Sequence, residues 1–313
     1  MLKIIGFFAG LCILFPLHAR AADEDISAQF NQMLSEARNN CAGIATKLKN
    51  LQTMAGVNTV VTGVGTLAAG GALYAGITKS KIDKQAAELE AQLDNIENMS
   101  DKEFLNFLKN FAAYEEAREN YASVCSQKKQ LEHRSKQMGN WRTGLMAGNT
   151  VTAIAGTVIA NKNKNDALPI AEHIQSCLGA IKDIKTIMGQ ALVSGQQEMY
   201  TRLKTISDTC GALDARDLDK VGNNSKVAMI SSGVNIGTGT VGTITSAAAN
   251  TNKVRSNNTD AGKKKEKNLN TAANVFAGVS TAASGVSTVF NAITLKAVNS
   301  NLKIAQSCEE ALY

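Results

Sequence analysis

The chain has 313 residues, a formal net charge of +6, 44% hydrophobic and only 5% aromatic residues, with 25 glycines and two prolines. A charge this modest with so few aromatics does not argue for nucleic acid as a partner. Scarce proline beside abundant Ala, Leu, Lys, Glu and Gln favours long helices, and the length allows one or two domains.

Residues 1–21 have the pattern of a secretory signal peptide. Lys3 gives a positive start, an apolar run covers 4–17 with Pro16 late in it, and Ala19-Arg20-Ala21 is a small-x-small cleavage site ahead of Ala22. The run is shorter than the roughly 20 residues a membrane span needs. Cleavage removes Lys3 and Arg20, so the formal charge of +6 falls to +4. The expected location is outside the cytoplasm: periplasm, cell envelope or medium. Five cysteines then remain, Cys41, Cys125, Cys177, Cys210 and Cys308. All are disulfide candidates in an oxidising compartment, and an odd number permits at most two internal bridges and leaves one thiol. No C-x-x-C pair occurs, so neither a metal nor a redox motif is expected.

The first helix carries Phe30, Leu34, Ala37, Cys41, Ile44, Leu48 and Leu51 at three- and four-residue steps, the seam of a coiled coil. The phase continues through Ala55, Asn58, Thr62, Gly65, Ala69, Ala72 and Gly76, where large residues give way to small ones. A short link is expected at 78–81, followed by a polar helix over 82–98. Ser100 and Glu103 form a capping box that opens a helix with an aromatic stripe of Phe104, Phe107, Phe111, Tyr114 and Tyr121, read as core. After Trp141-Arg142 comes a second small-residue stretch, then a polar break at 161–165. Pro169 suits the first turn of a new helix bearing Ile170, Ile174, Cys177, Ile181, Ile184 and Met188, which runs on past Gly195 towards Cys210. A looser stretch at 211–225 leads to the third small-residue segment, and a polar connection at 251–267 to the fourth.

Those four segments, 55–77, 144–160, 227–249 and 271–293, are long, nearly uncharged and built from Gly, Ala, Thr, Ser, Val and Ile. Each has an Asn near its start: Asn58, Asn149, Asn235 and Asn274. In the first three a Gly-Thr pair begins seven residues later, at Gly65, Gly156 and Gly242. Their Val, Ile and Thr favour strands, and 236–245 even alternates. The fourth segment nevertheless keeps two helical stripes in phase for several turns, one of them Asn274, Gly278, Thr281, Gly285, Thr288 and Ala292, so helix is expected. Small residues at this spacing let helix backbones approach closely, as in membranes. Asn58, Asn149, Asn235, Asn274, Gly65, Gly156, Gly242, Gly278 and Gly285 are therefore the candidate helix-packing residues. Basic residues near the segment ends, Lys79, Lys81, Lys162, Lys164, Lys253, Arg255 and those of 263–267, would suit a rim facing anionic lipid headgroups, or solvated loops. Cys41 lies 17 residues before Asn58, and Cys308 lies 17 after Asn291. On antiparallel helices both cysteines would then sit at one end, about 25 Å from the Asn level.

The expected architecture is all-α: a long-helix bundle with coiled-coil-like seams, a weak internal duplication into halves 22–165 and 166–313, and four small-residue segments packed together. Catalytic chemistry is not expected. His133 and His173 have no ligand-like spacing, the carboxylates fall on polar faces, and G-x-x-x-x-G-K-[ST] is absent. No cofactor or metal is expected. The function expected is that of a non-enzymatic exported protein associating with membrane lipid, or with copies of itself, through small-residue helix faces, by hairpin insertion or as a pore. The alternative is a soluble coiled-coil interaction protein of a secretion or surface assembly.

Overall fold

The computed structural model describes residues 26–97, 111–255 and 259–313. The signal peptide, the capping box at 100–103 and aromatic residues 104–108 lie outside them. Among the described residues there is no strand, and the fold is an all-α helical bundle. The helices are α1 (26–41), α2 (Ile44–Glu97), α3 (Phe111–Val193), α4 (Gln197–Cys210), α5 (Ala215–Ala249), the short α6 (Asn252–Arg255) and α7 (Asp260–Leu312).

Two interruptions in the first helices and the long α3 have clear causes. Gly43 at φ 76° turns the chain between α1 and α2, and Gly195 at φ 75° ends α3; such angles are costly for any residue with a Cβ. The expected passage through Gly195 therefore does not occur. The expected link at 78–81 is instead continuous helix, because Lys79 points inward and is ion-paired there. The expected break at 161–165 is also helical, and Pro169 lies inside the 83-residue α3 rather than at a helix start. Pro169 is on the exposed face. The carbonyl one turn back, which loses its amide partner to proline, can reach solvent there. The looser stretch shrinks to residues 211–214, after which α5 begins.

The chain forms two compact units. Of the described residues, the first comprises 26–59, 159–227 and 290–313, the second 60–97, 111–158, 228–255 and 259–289. Each unit draws on both sequence halves, 22–165 and 166–313.

The first unit has an ordinary apolar interior. Leu48, Leu51, Ile174, Ile181, Ile184, Leu203, Ile206 and Leu218 are buried in one cluster. Full burial of each such side chain contributes about 1.5–3 kcal/mol. Two disulfides join it, Cys41–Cys177 and Cys210–Cys308, bridging separations of 136 and 98 residues. The sulfurs of Cys41, Cys177 and Cys308 lie within 4.8 Å of one another. Asn58 Nδ2 donates to Asn291 Oδ1 at 2.8 Å. The two 17-residue spacings thus meet at both ends: an Asn pair at one level, clustered cysteines at the other. Among the described residues, Cys125, in the second unit, is the free cysteine.

In the second unit, segments of α2, α3, α5 and α7 alternate in direction. Gly65 approaches Asn149 and Thr152, while Gly76 approaches Arg142 and Asn274. Asn149 pairs with Asn235, and Arg142 with Ser246. Numbers that rise along one helix fall along the next, as in an up-down-up-down bundle.

Candidate functional site

The interior of the second unit is polar. Buried positions on α3 step through Ser135, Gly139, Arg142, Met146, Asn149, Ala153 and Gly156; those on α7 through Ala273, Ala277, Ser280, Ser284 and Ser287. Both follow alternating four- and three-residue steps. At the centre, two asparagines and two serines form a closed set. Asn149 Nδ2 donates to Asn235 Oδ1 at 2.7 Å and Ser280 Oγ at 2.8 Å. Asn235 Nδ2 donates to Asn149 Oδ1 at 3.1 Å and Ser284 Oγ at 2.7 Å. Ser284 Oγ then donates to Asn149 Oδ1 at 3.1 Å, and Ser280 Oγ donates to Asn235 Oδ1. Both amide groups use both hydrogens, and each carbonyl accepts twice. A buried network that is this complete rigidifies and specifies its surroundings.

Further along sits a buried guanidinium. Arg142 Nε donates to Ser246 Oγ at 2.8 Å, Nη2 to Asn270 Oδ1 at 2.8 Å and Nη1 to Asn274 Oδ1 at 3.0 Å. Lys79, 1% exposed, pairs with Asp83 at 2.5 Å and Glu266 at 3.3 Å. Ser135 Oγ donates to the other Asp83 oxygen. Two buried cations thus stand among two carboxylates and several amides. Lys79 is therefore no part of an outward lysine rim, a correction to the expectation from sequence.

The outer faces of the small-residue segments are rich in apolar side chains, while the described residues of 81–140 and 260–267 in the same unit expose many charges. Exposed side chains include Val60, Val64, Leu67 and Ile77 on α2, Val151, Ile154 and Val158 on α3, Ile230, Val234 and Ile244 on α5, and Val275, Val279, Val286 and Val289 on α7. Leu67 is 78% exposed and Val151 66%, whereas Asn149 is wholly buried. Interspersed threonines turn their hydroxyls inward onto their own helix. Thr66, Thr157, Thr240, Thr245 and Thr281 each donate to the carbonyl four residues back.

The sequence-derived packing residues divide. Asn58, Asn149 and Asn235 are buried and hydrogen-bonded, and Asn274 is half-buried and bonded to Arg142. A Cβ on Gly65 would lie 2.5 Å from Thr152 Oγ1, and one on Gly242 would strike Met146. Gly156 is buried. Gly278 and Gly285 pack against nothing: a Cβ at either meets open space within 4 Å. The α7 seam is Ala273, Ala277, Ser280, Ser284, Ser287 and Asn291, one position from the expected stripe. Close approaches that the sequence pattern missed are Gly139 against Asn250 and Gly239 against Thr150.

Among the described residues, three stretches are long and apolar enough to cross a membrane by length and composition. They are Ile26–Ala91, Tyr121–Val193 and Asp260–Leu312. A third or less of the residues in their most apolar parts is fully buried. No protein-family model, curated protein or solved structure matches the chain.

Proposed function

We propose that this is a non-enzymatic, exported protein whose second unit associates with a membrane, its valine and isoleucine faces against lipid chains and its Asn, Ser and small-residue faces against one another. The observation that carries this reading is the inversion of the second unit: hydrogen-bonded asparagines inside, branched apolar side chains outside. In water, contiguous exposed apolar surface marks an interaction site or an aggregation liability. In lipid, helix association depends on small residues, close packing and interhelical hydrogen bonds. The exposed stripe on α2 from Val60 to Ile77 spans about 26 Å at 1.5 Å per residue, close to the hydrocarbon thickness of a bilayer. The two disulfides fit an oxidising compartment, consistent with export. Because the central Asn–Ser set closes on itself, the interior of one copy favours a packed anchor over a water-filled pore.

Flotation of the full chain with liposomes, followed by carbonate extraction, tests the proposal. The expected result is co-flotation that resists carbonate. Recovery in the soluble fraction would replace it with the other reading, a soluble interaction protein of a secretion or surface assembly.

A further inference from the structure

The first unit contains polar groups that its own chain leaves unpaired. Asn163, Ser225 and Thr294 are 0%, 1% and 1% exposed. Both side-chain polar atoms of Asn163, with Ser225 Oγ and Thr294 Oγ1, lack a hydrogen-bond partner. The helix register puts the three at one level. Cys177 on α3 and Cys308 on α7 have sulfurs within 4.8 Å, and two seven-residue repeats back along each helix stand Asn163 and Thr294. Asn58 on α2 is bonded to Asn291 on α7, and one short step beyond that pair stand Ala55 and Thr294. Four residues towards the apolar core from Ala55, Asn163, Ser225 and Thr294 lie Leu51, Ala167, Val221 and Val298, all members of one buried cluster.

We propose that Ala55, Asn163, Ser225 and Thr294 frame an internal binding site for ordered water. A buried polar group without a partner is strongly disfavoured, and buried waters characteristically make about three hydrogen bonds to such groups. The four unpaired atoms offer what water needs. The Asn163 amide donates, its carbonyl accepts, and each hydroxyl does either. Ala55, the fourth residue of the level, offers no side-chain partner to any of them. A divalent cation fits less well: among the described residues no Asp or Glu is buried to neutralise it, and the Asn163 amide nitrogen presents hydrogens, not lone pairs. This inference stands independently of membrane association, because the level lies wholly within the first unit.

The isosteric change Thr294→Val tests it by sign. If the hydroxyl holds a water, losing it strands the water's other partners and the melting temperature of the full chain falls. If the level is dry, the change removes an unpaired hydroxyl and the melting temperature holds or rises, which overturns the proposal. A crystal structure of the full chain that resolves ordered water supplies the second readout, whatever the variant does. Density within hydrogen-bond reach of at least two of the three side chains supports it, and an empty level overturns it. A melting temperature raised by sodium or potassium chloride but not by choline chloride of equal ionic strength would also overturn it, in favour of a cation.

Discussion

The two units place similar spacings of buried residues around opposite contents. In the first, the inward positions of α3 are Ile170, Ile174, Cys177, Ile181 and Ile184; in the second, the same helix turns Arg142, Met146, Asn149, Ala153 and Gly156 inward. One seven-residue repeat runs through both. Spacing therefore decides which face of a helix packs, while residue type decides what the packing is made of and what the outer face must meet. Leucine and isoleucine seams leave polar residues for water, whereas small and amide-bearing seams leave valine and isoleucine outside.

If that contrast is right, the first unit depends on covalent bridges and apolar burial, and the largest effects lie there. Cys210→Ser with Cys308→Ser is expected to lower stability by about 2–5 kcal/mol in denaturant titrations, as removal of a native disulfide does. Thiol counting on unfolded, unreduced mature protein should find one free thiol, that of Cys125. Ile181→Ala should cost a similar 2–5 kcal/mol or so, through loss of apolar contact and the cavity left. The same truncation at exposed Val64 should change little.

The second unit should instead respond to polar changes. Asn149→Leu takes a hydrogen-bond partner from each of Asn235, Ser280 and Ser284, at about 1–3 kcal/mol for each polar atom left unsatisfied. Adding Asn235→Leu should recover part of the loss, which thermal melts of the single and double variants will read. A smaller effect separates the glycines. Gly65→Leu must displace Thr152 and should cost about 1–3 kcal/mol. Gly285→Leu meets open space and should be neutral or gain up to about 1 kcal/mol of helix propensity.

The smallest effect concerns pH. His173 is held below its usual pKa of 6.5 by burial and then by the charge of Lys47, whose ammonium lies 2.9 Å from Nδ1, partly offset by a backbone hydrogen bond at Asn40. The unfolded chain therefore binds the proton more readily. Stability from this residue is fully present above the unfolded value and is lost as pH falls from there to the lowered folded value. Lys47→Met should flatten that part of the melting-temperature profile relative to wild type.

Much of this organisation was legible in the sequence. The α2 seam from Leu48 through Asn58 and Gly65 to Ala72 reads directly, because one residue per step changes size while the phase is constant. The cysteine and asparagine spacings likewise anticipated their neighbours. The α7 face was misplaced by one position because Gly278 and Gly285 look like contact residues, while Ala277, Ser280 and Ser284 look merely polar or neutral. Continuation of the step from Asn291 to Val298 through Thr294 was the available signal. Pro169 and Lys79 are not legible from local sequence, because proline and lysine ordinarily mark ends and surfaces. Here one lies on an outward face and the other has two carboxylates to neutralise it. The Arg142 and Lys79 networks require partners far away in sequence, which local spacing does not reveal.

The central claim, that the outer face of the second unit meets lipid, can be read from a single residue. Trp141 is the chain's one tryptophan, lies in that unit and is 66% exposed. Tryptophan is favoured at the membrane–water interface. In vesicles containing brominated lipids its fluorescence should be quenched and blue-shifted, and aqueous acrylamide should quench it less than in the lipid-free protein. Fluorescence that ignores the brominated chains and stays open to acrylamide would contradict membrane contact at this face.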